Sequence, residues 1–308
     1  MASIKTFRDL AEVWYQNKIK IISYEKHKKN IRMWLDNYIL PVLGGKEFNV
    51  YYPDAIAAMF KKLEERSETA KRCRWVCLEI YRFGRKYDNK CNAICDKVES
   101  IVISGSKPRK HYPTTNNISV IQNIYASTIK FGESPRNICA LQLLMLTSAR
   151  PKNVRFAKWE EFDIDKKIWL TPSKRKDVKA DHTIFLSTQV IDLLKKIREL
   201  NLGPKECTYL FPAGRENVLP DTAFASALKL LGIGSDTLTA FGIRYAAEYI
   251  MEQEYVYGKK DGKDLHVLIQ TFMDAVTADG RPQFPPEALL KERAELARWW
   301  ADRIEGKI

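Results

Sequence analysis

Two cysteine pairs and one arginine-rich helix face are the groups in this 308-residue chain whose type and spacing could do chemistry. Cys73/Cys77 and Cys91/Cys95 form two C-x-x-x-C pairs, which invites a zinc reading. Zinc sites usually space their ligands C-x2-C or C-x4-C, on turns rather than within a helix. Cys73 and Cys77 instead continue the apolar stripe of a strongly helical segment, so core thiols are the stronger reading and no metal is expected. That segment, 67–87 (SETAKRCRWVCLEIYRFGRKY), sets Ala70, Cys73, Val76, Cys77, Ile80 and Tyr81 on one face and Lys71, Arg74, Arg82 and Arg85 on another. Cations aligned on one face suit phosphate oxygens; a solvated surface is the alternative.

The charge balance points the same way. The formal net charge is +13. Residues 1–115 hold 23 basic and 13 acidic side chains, against 28 and 25 in the remainder, so the excess sits in the N-terminal third. Nucleic acid is the commonest partner for such a charge, through counterion release. No apolar run approaches the roughly 18 residues of a membrane span. The opening MASIKTFRDLAEVW lacks the apolar core of a signal peptide, so a cytoplasmic protein is expected.

The elements that must position these groups are mostly helices. Thr6 caps a helix over 6–20, with Phe7, Leu10, Ala11 and Trp14 at helical spacing. A second spans 23–40, capped by Ser23 and stopped by Pro41 and Gly44-Gly45. A third spans 53–65 behind Pro53, and the basic helix is the fourth. Residues 101–117 (IVISGSKPRKHYPTTNN) read as a linker made basic by Lys107, Arg109 and Lys110. Beyond it come helices near 118–131 and 135–147 and a hairpin near 162–186. Further helices lie near 188–200, 220–231, 240–254, 264–276 and 286–304. The fold class is mainly α with a small β-hairpin or sheet (α+β). The divisions are a helical DNA-binding bundle (1–100), a linker (101–117) and a second domain (118–308).

Three motifs in the second domain carry a family resemblance. QLLMLTSARPKNVRFAKWEEFDID, running on into a lysine-bearing hairpin that ends HTIFLS, resembles the first catalytic box of the tyrosine recombinases. LTAFGIRYAAEYI, preceded by ALKLLGI, resembles the second box, and ALLKERAELARWWADRIEG the final helix. Integrases of satellite phages and pathogenicity islands are the nearest look-alikes. The resemblance spans their core-binding and catalytic domains, with the arm-binding domain that precedes these expected to be absent.

The resemblance implies metal-free phosphoryl transfer, in which a tyrosine attacks a DNA phosphate. Two arginines hold the non-bridging oxygens, because planar bidentate donors suit that charge. By motif these are Arg150 and Arg244, expected to converge on one concave basic site. A hairpin lysine protonates the leaving oxygen; Lys176 is the candidate, with Lys174 and Lys179 as alternatives. A helix is implied between Arg150 and the Trp159-Glu160-Glu161 run.

Three positions depart from the pattern. Phe241 stands where the family's His-x-x-Arg has histidine, and Phe can neither donate to a phosphate nor move a proton. Asp274 stands where a second histidine belongs, and its carboxylate would repel a phosphate. Phe284 stands at the nucleophile, in a register set by Leu290-x-x-Arg293. Residues 258–308 contain no Tyr, Ser or Cys; Tyr257 could serve only in a rearranged fold. The leading expectation is a cleavage-deficient, nucleoid-associated protein clamping duplex DNA at a recombination or regulatory site, alone or with a related recombinase. It needs no cofactor and has no small-molecule substrate. The alternatives are an active integrase (displaced nucleophile, or a Tyr-to-Phe trapped variant) and a basic helical scaffold for protein or RNA.

Overall fold

The computed structural model describes residues 4–22, 25–103, 112–131, 136–173, 180–202, 207–213, 218–255, 262–277 and 280–308. The chain divides into two compact units, Met1–Lys110 and His111–Ile308.

The first unit is helical. Helix α1 (Phe7–Ile21) opens with a capping box: the Thr6 hydroxyl accepts from the Asp9 amide while the Asp9 carboxylate accepts from the Thr6 amide. Helix α2 (Glu25–Trp34) passes through a π turn (Leu35–Ile39) into α3 (Leu40–Leu43). Pro41 therefore does not stop the helix, as the sequence suggested; Ser23, the expected cap, lies outside the described residues. Pro41 has no N–H to offer the preceding turn, and the backbone has already widened there, with the Leu40 amide bonding the Leu35 carbonyl. The helix ends at Gly44, whose missing side chain lets the Leu40 carbonyl and Arg8 approach.

Helices α4 (Pro53–Lys61), α5 (Ser67–Gly84) and α6 (Lys90–Glu99) complete this unit. Helix α6 was not expected from the sequence. Its apolar face is Cys91, Ile94, Cys95 and Val98, all buried against α5. Cys73, Cys77, Cys91 and Cys95 are thus core residues, and burial raises the Cys73 thiol to about 12 and Cys91 to about 11. Burial thus favours the neutral thiol at both positions.

The second unit is built around α8 (Arg136–Thr147), buried on every side from Ile138 to Thr147. A helix apolar all round belongs at a core's centre, where each large side chain contributes about 1.5–3 kcal/mol. Helices α7 (Ile118–Lys130), α10 (Thr188–Glu199), α11 (Ala223–Leu230), α12 (Ala240–Glu254), α13 (Gly262–Phe272) and α14 (Leu290–Glu305) belong to the same unit. Trp300 of α14 donates to the Met145 carbonyl at 2.9 Å, fixing the C-terminal end of α8.

A three-stranded antiparallel sheet, β1 (Phe162–Asp163), β2 (Ile168–Thr171) and β3 (His182–Phe185), supplies the small β component, with Trp169 buried on one face. The helix implied after Arg150 is broken in two: α9 (Pro151–Arg155) and a 3-10 turn at Trp159–Glu161. Between them the chain pairs with residues 208–210, through Leu210 N to Ala157 O (2.8 Å) and Trp159 N to Thr208 O (3.0 Å). Those interstrand bonds consume groups that a continuous helix would need.

Candidate functional site

The second unit's site begins at the end of α8. The Thr147 hydroxyl donates back to the Leu143 carbonyl (2.6 Å) and accepts from the Ala149 amide (3.3 Å). Ser148 then takes a left-handed backbone (φ 49°), which reverses the chain and presents Arg150 at the start of α9. Arg244 projects from α12 and donates through Nη1 to the Ser148 carbonyl. The two arginines, 94 positions apart in sequence, therefore meet around one turn. Arg244 is drawn down to about 10, first by burial and then by the charge of Arg150, with Asp274 and Glu248 opposing.

Asp274 completes this cluster. It follows α13 in a left-handed turn (φ 55°) and is only 9% exposed. Arg150 reaches it twice: Nε to Oδ2 at 3.3 Å, and Nη2 to the Asp274 backbone carbonyl. His182 of β3, also buried, places Nδ1 3.6 Å from the other carboxylate oxygen.

Arg293 of α14, 1% exposed, donates to the Pro286 carbonyl (2.7 Å) and to the Thr183 carbonyl. Burial lowers it to about 10, with Asp274 opposing. Arg150 thus bonds the Asp274 carboxylate directly, and Arg244 and Arg293 feel its charge. Such a set can hold an anion by charge-assisted, bidentate bonds.

Phe284 and Asp274 border one small cleft of about 10 Å3, together with His182, Thr271 and Pro286. No hydroxyl stands on the Phe284 ring. Phe241, one helical turn before Arg244 on α12, is 38% exposed, and its ring stacks on Tyr112 with centroids 4.9 Å apart. Tyr112 belongs to a strap, 112–115, which the sequence placed in the linker and which packs on α12. Thr239 N donates to the Pro113 carbonyl (3.2 Å) and the Thr114 hydroxyl donates to the Gly242 carbonyl (2.6 Å). Lys176 and its alternatives Lys174 and Lys179 lie outside the described residues, as do Lys107, Arg109 and Lys110 of the linker.

In the first unit, Lys71, Arg74, Arg82 and Arg85 do follow one side of α5, but they are not equivalent. Arg74 is half-buried and donates to the Ile101 carbonyl at 2.7 Å, tying the end of the unit to α5. Lys71 pairs with Glu68 (3.0 Å), and Arg82 with Glu79 (3.4 Å) and Glu99 (3.7 Å). Arg82 and Arg85 are exposed. Sequence reasoning did not single out His182, and used Arg293 only to set a register. An arginine at the helical spacing of Leu296, Ala297 and Trp300, the apolar stripe of the last helix, was the available signal for the latter.

Comparison with known proteins agrees with this architecture. The family model described as phage integrase central domain matches residues 7–90. The integrase of Enterobacteria phage P4 is 25% identical over 318 residues, covering 97% of this chain and 69% of the relative. The integrase of Shigella phage Sf6 is 23% identical, covering 98% of this chain and 76% of the relative. Among solved structures, a lambda integrase dimer bound to a COC' core site superimposes with a TM-score of 0.65 at 17% identity, over 89% of this chain and 96% of that one. A Tn1549 transposon integrase in complex with circular intermediate DNA gives 0.58 at 10% identity, over 90% and 97%.

Proposed function

We propose that this chain, which the family match and the integrase relatives support as a tyrosine recombinase family member, binds duplex DNA at a recombination or regulatory site without cleaving it. The observation that carries this reading is Phe284, a ring without a hydroxyl beside Asp274 in the cleft. Without a nucleophile no covalent intermediate forms, and the arginines stabilise a charge that never develops. In this reading Arg150 and Arg244 remain phosphate ligands and Lys176 sits at the pocket rim. Residues 1–100 form the core-binding domain, 101–117 a basic linker, and 118–308 the catalytic-like domain.

Duplex DNA is the partner, bound with a second copy or a related recombinase. The solved relatives include a lambda integrase dimer on a core site and a tetramer on a Holliday junction. Among the described residues no helix is long and apolar enough to cross a membrane; we place the protein in the cytoplasm, on the nucleoid. The roles left to a non-cleaving member are occluding a recombination site, regulation, and partnership with an active enzyme.

A nicked suicide duplex tests the reading. The purified chain is expected to retain the duplex in a salt-sensitive complex and to leave no protein–DNA adduct after denaturation. A covalent adduct would overturn it in favour of an active integrase with a displaced nucleophile, and mapping the adduct peptide would ask whether Tyr257 carries the DNA.

A further inference from the structure

We infer that Asp274 is a built-in anion which occupies the phosphate place on Arg150, so that an incoming phosphate must displace a side chain of the protein itself. The inference rests on the reading of Arg150 and Arg244 as phosphate ligands. Its ground is which donors are already used. The Nε and Nη2 atoms form one edge of the guanidinium, the edge that grips two oxygens of a phosphate or carboxylate at once. In Arg150 both atoms of that edge are spent on Asp274, one on Oδ2 at 3.3 Å and one on the backbone carbonyl.

The carboxylate is held there rather than brought by chance. Asp274 sits in a turn closed by Met273 N to Ile269 O (2.8 Å), Asp274 N to Thr271 O (3.2 Å) and Ala275 N to Gln270 O (2.9 Å). Its left-handed backbone aims the side chain at Arg150, and Asp is among the few residues that accept such a backbone at little cost. His182 faces the second oxygen at 3.6 Å. The charge of the same carboxylate opposes the pKa depression of Arg244 and of Arg293. Removing that charge takes away the one acid bonded to Arg150 and leaves Glu248 near Arg244 and Asp181 at the cleft as the remaining acids. The Ser148 hydroxyl, buried beside the pair, makes no hydrogen bond among the described residues. It is a donor that an exchanged anion could use.

The consequence is competition. A phosphate can take the Nε/Nη2 edge of Arg150 only after the Asp274 carboxylate leaves Nε and the backbone carbonyl of the same turn leaves Nη2, so Asp274 sets a threshold for anion entry.

The test uses the full chain and inorganic phosphate. Melting temperature is measured against phosphate at fixed ionic strength, with chloride as the reference salt. In the unsubstituted protein phosphate is expected to stabilise no more than chloride. Asp274→Asn keeps the shape and leaves only a neutral amide oxygen, a weaker and more easily displaced acceptor for Arg150 Nε; its melting temperature is expected to rise with phosphate specifically, and the response is expected to vanish in the Asp274→Asn/Arg150→Ala double variant. Asp274→Ser repeats the comparison should the asparagine variant fold poorly.

On duplex DNA, Asp274→Asn is expected to bind about tenfold more tightly, the worth of one charge-assisted contact, with a salt slope steeper by about one unit. Equal phosphate responses in the unsubstituted and Asp274→Asn proteins would overturn the inference, as would a folded Asp274→Asn variant with none. Loss of duplex binding in every form would sink the DNA-binding reading instead, while the phosphate titration would still decide whether Asp274 holds the site.

Discussion

Gly242→Ala is a severe perturbation for one methyl group. A Cβ at that position would stand 1.8 Å from the Pro113 carbonyl oxygen and 2.9 Å from its carbon, both backbone atoms. No side-chain rotation relieves this, so either α12 or the 112–115 strap must move. The strap is the cheaper to release. Its departure breaks the Thr239–Pro113 and Thr114–Gly242 hydrogen bonds, about 1 kcal/mol each. It also separates the stacked Tyr112 and Phe241 rings, at about 1 kcal/mol. Alanine gains roughly 1 kcal/mol over glycine in a helix. The net loss is about 2 kcal/mol, which for a unit of this size lowers its melting temperature by about 4–8 °C. Calorimetry reads that shift. Hydrogen exchange locates it: the Thr239 amide should exchange faster, while the Ile243 amide, bonded within the helix to the Thr239 carbonyl at 2.9 Å, should not. Gly45→Ala is the control, because its Cβ would meet nothing within 4 Å. A Gly242→Ala protein as stable as its parent, or more stable, would refute the packed strap.

Three further outcomes follow from the same structure. Changing Arg82 and Arg85 together to Ala should weaken binding to all duplexes and flatten the salt slope by about one unit per lost contact; the two side chains are exposed, so an unchanged slope in filter binding would reduce the stripe to a solvated face. Native protein treated with a thiol reagent should label at Cys207 alone, since the other five thiols are buried; prompt labelling of Cys73 or Cys91 would contradict the α5–α6 core. Phe284→Tyr should restore little cleavage of a suicide substrate while Phe241 and Asp274 remain, because parts of one catalytic unit do not add; strong cleavage would mean that only the hydroxyl was missing.

What the sequence could announce was whatever is written locally. The α1 cap is legible because Thr6 and Asp9 are three residues apart. The buried helix α8 is legible because only Gln142 interrupts its apolar run from Ile138 to Leu146. Helix α6 was overlooked for a reason of chemistry: Cys91 and Cys95 drew notice as candidate ligands, whereas with Ile94 and Val98 they form an ordinary apolar stripe. The π turn before Pro41 follows from which backbone groups find partners, and residue types do not state that. The break after Arg155 likewise depends on residues 208–210, some fifty positions away.

The site divides along the same line. Arg150 and Arg244 are readable from short motifs, but their meeting depends on a left-handed turn at Ser148 whose carbonyl Arg244 grips. Asp274 was readable as a departure, and repulsion of phosphate was the effect expected of it. The structure changes the weight of that effect. A carboxylate standing free beside a phosphate only repels. One bonded to Arg150 across 124 positions also removes a ligand, because the donors that would hold the phosphate are already engaged. Repulsion between charges fades with salt, whereas an occupied donor edge does not. The two accounts therefore part at high ionic strength in Asp274→Ser, which removes both the charge and the oxygen that reaches Arg150 Nε: if Asp274 acts only through its field, the advantage of that variant for duplex binding should shrink towards nothing as salt rises. If it acts by occupation, part of that advantage should persist after the long-range term is screened.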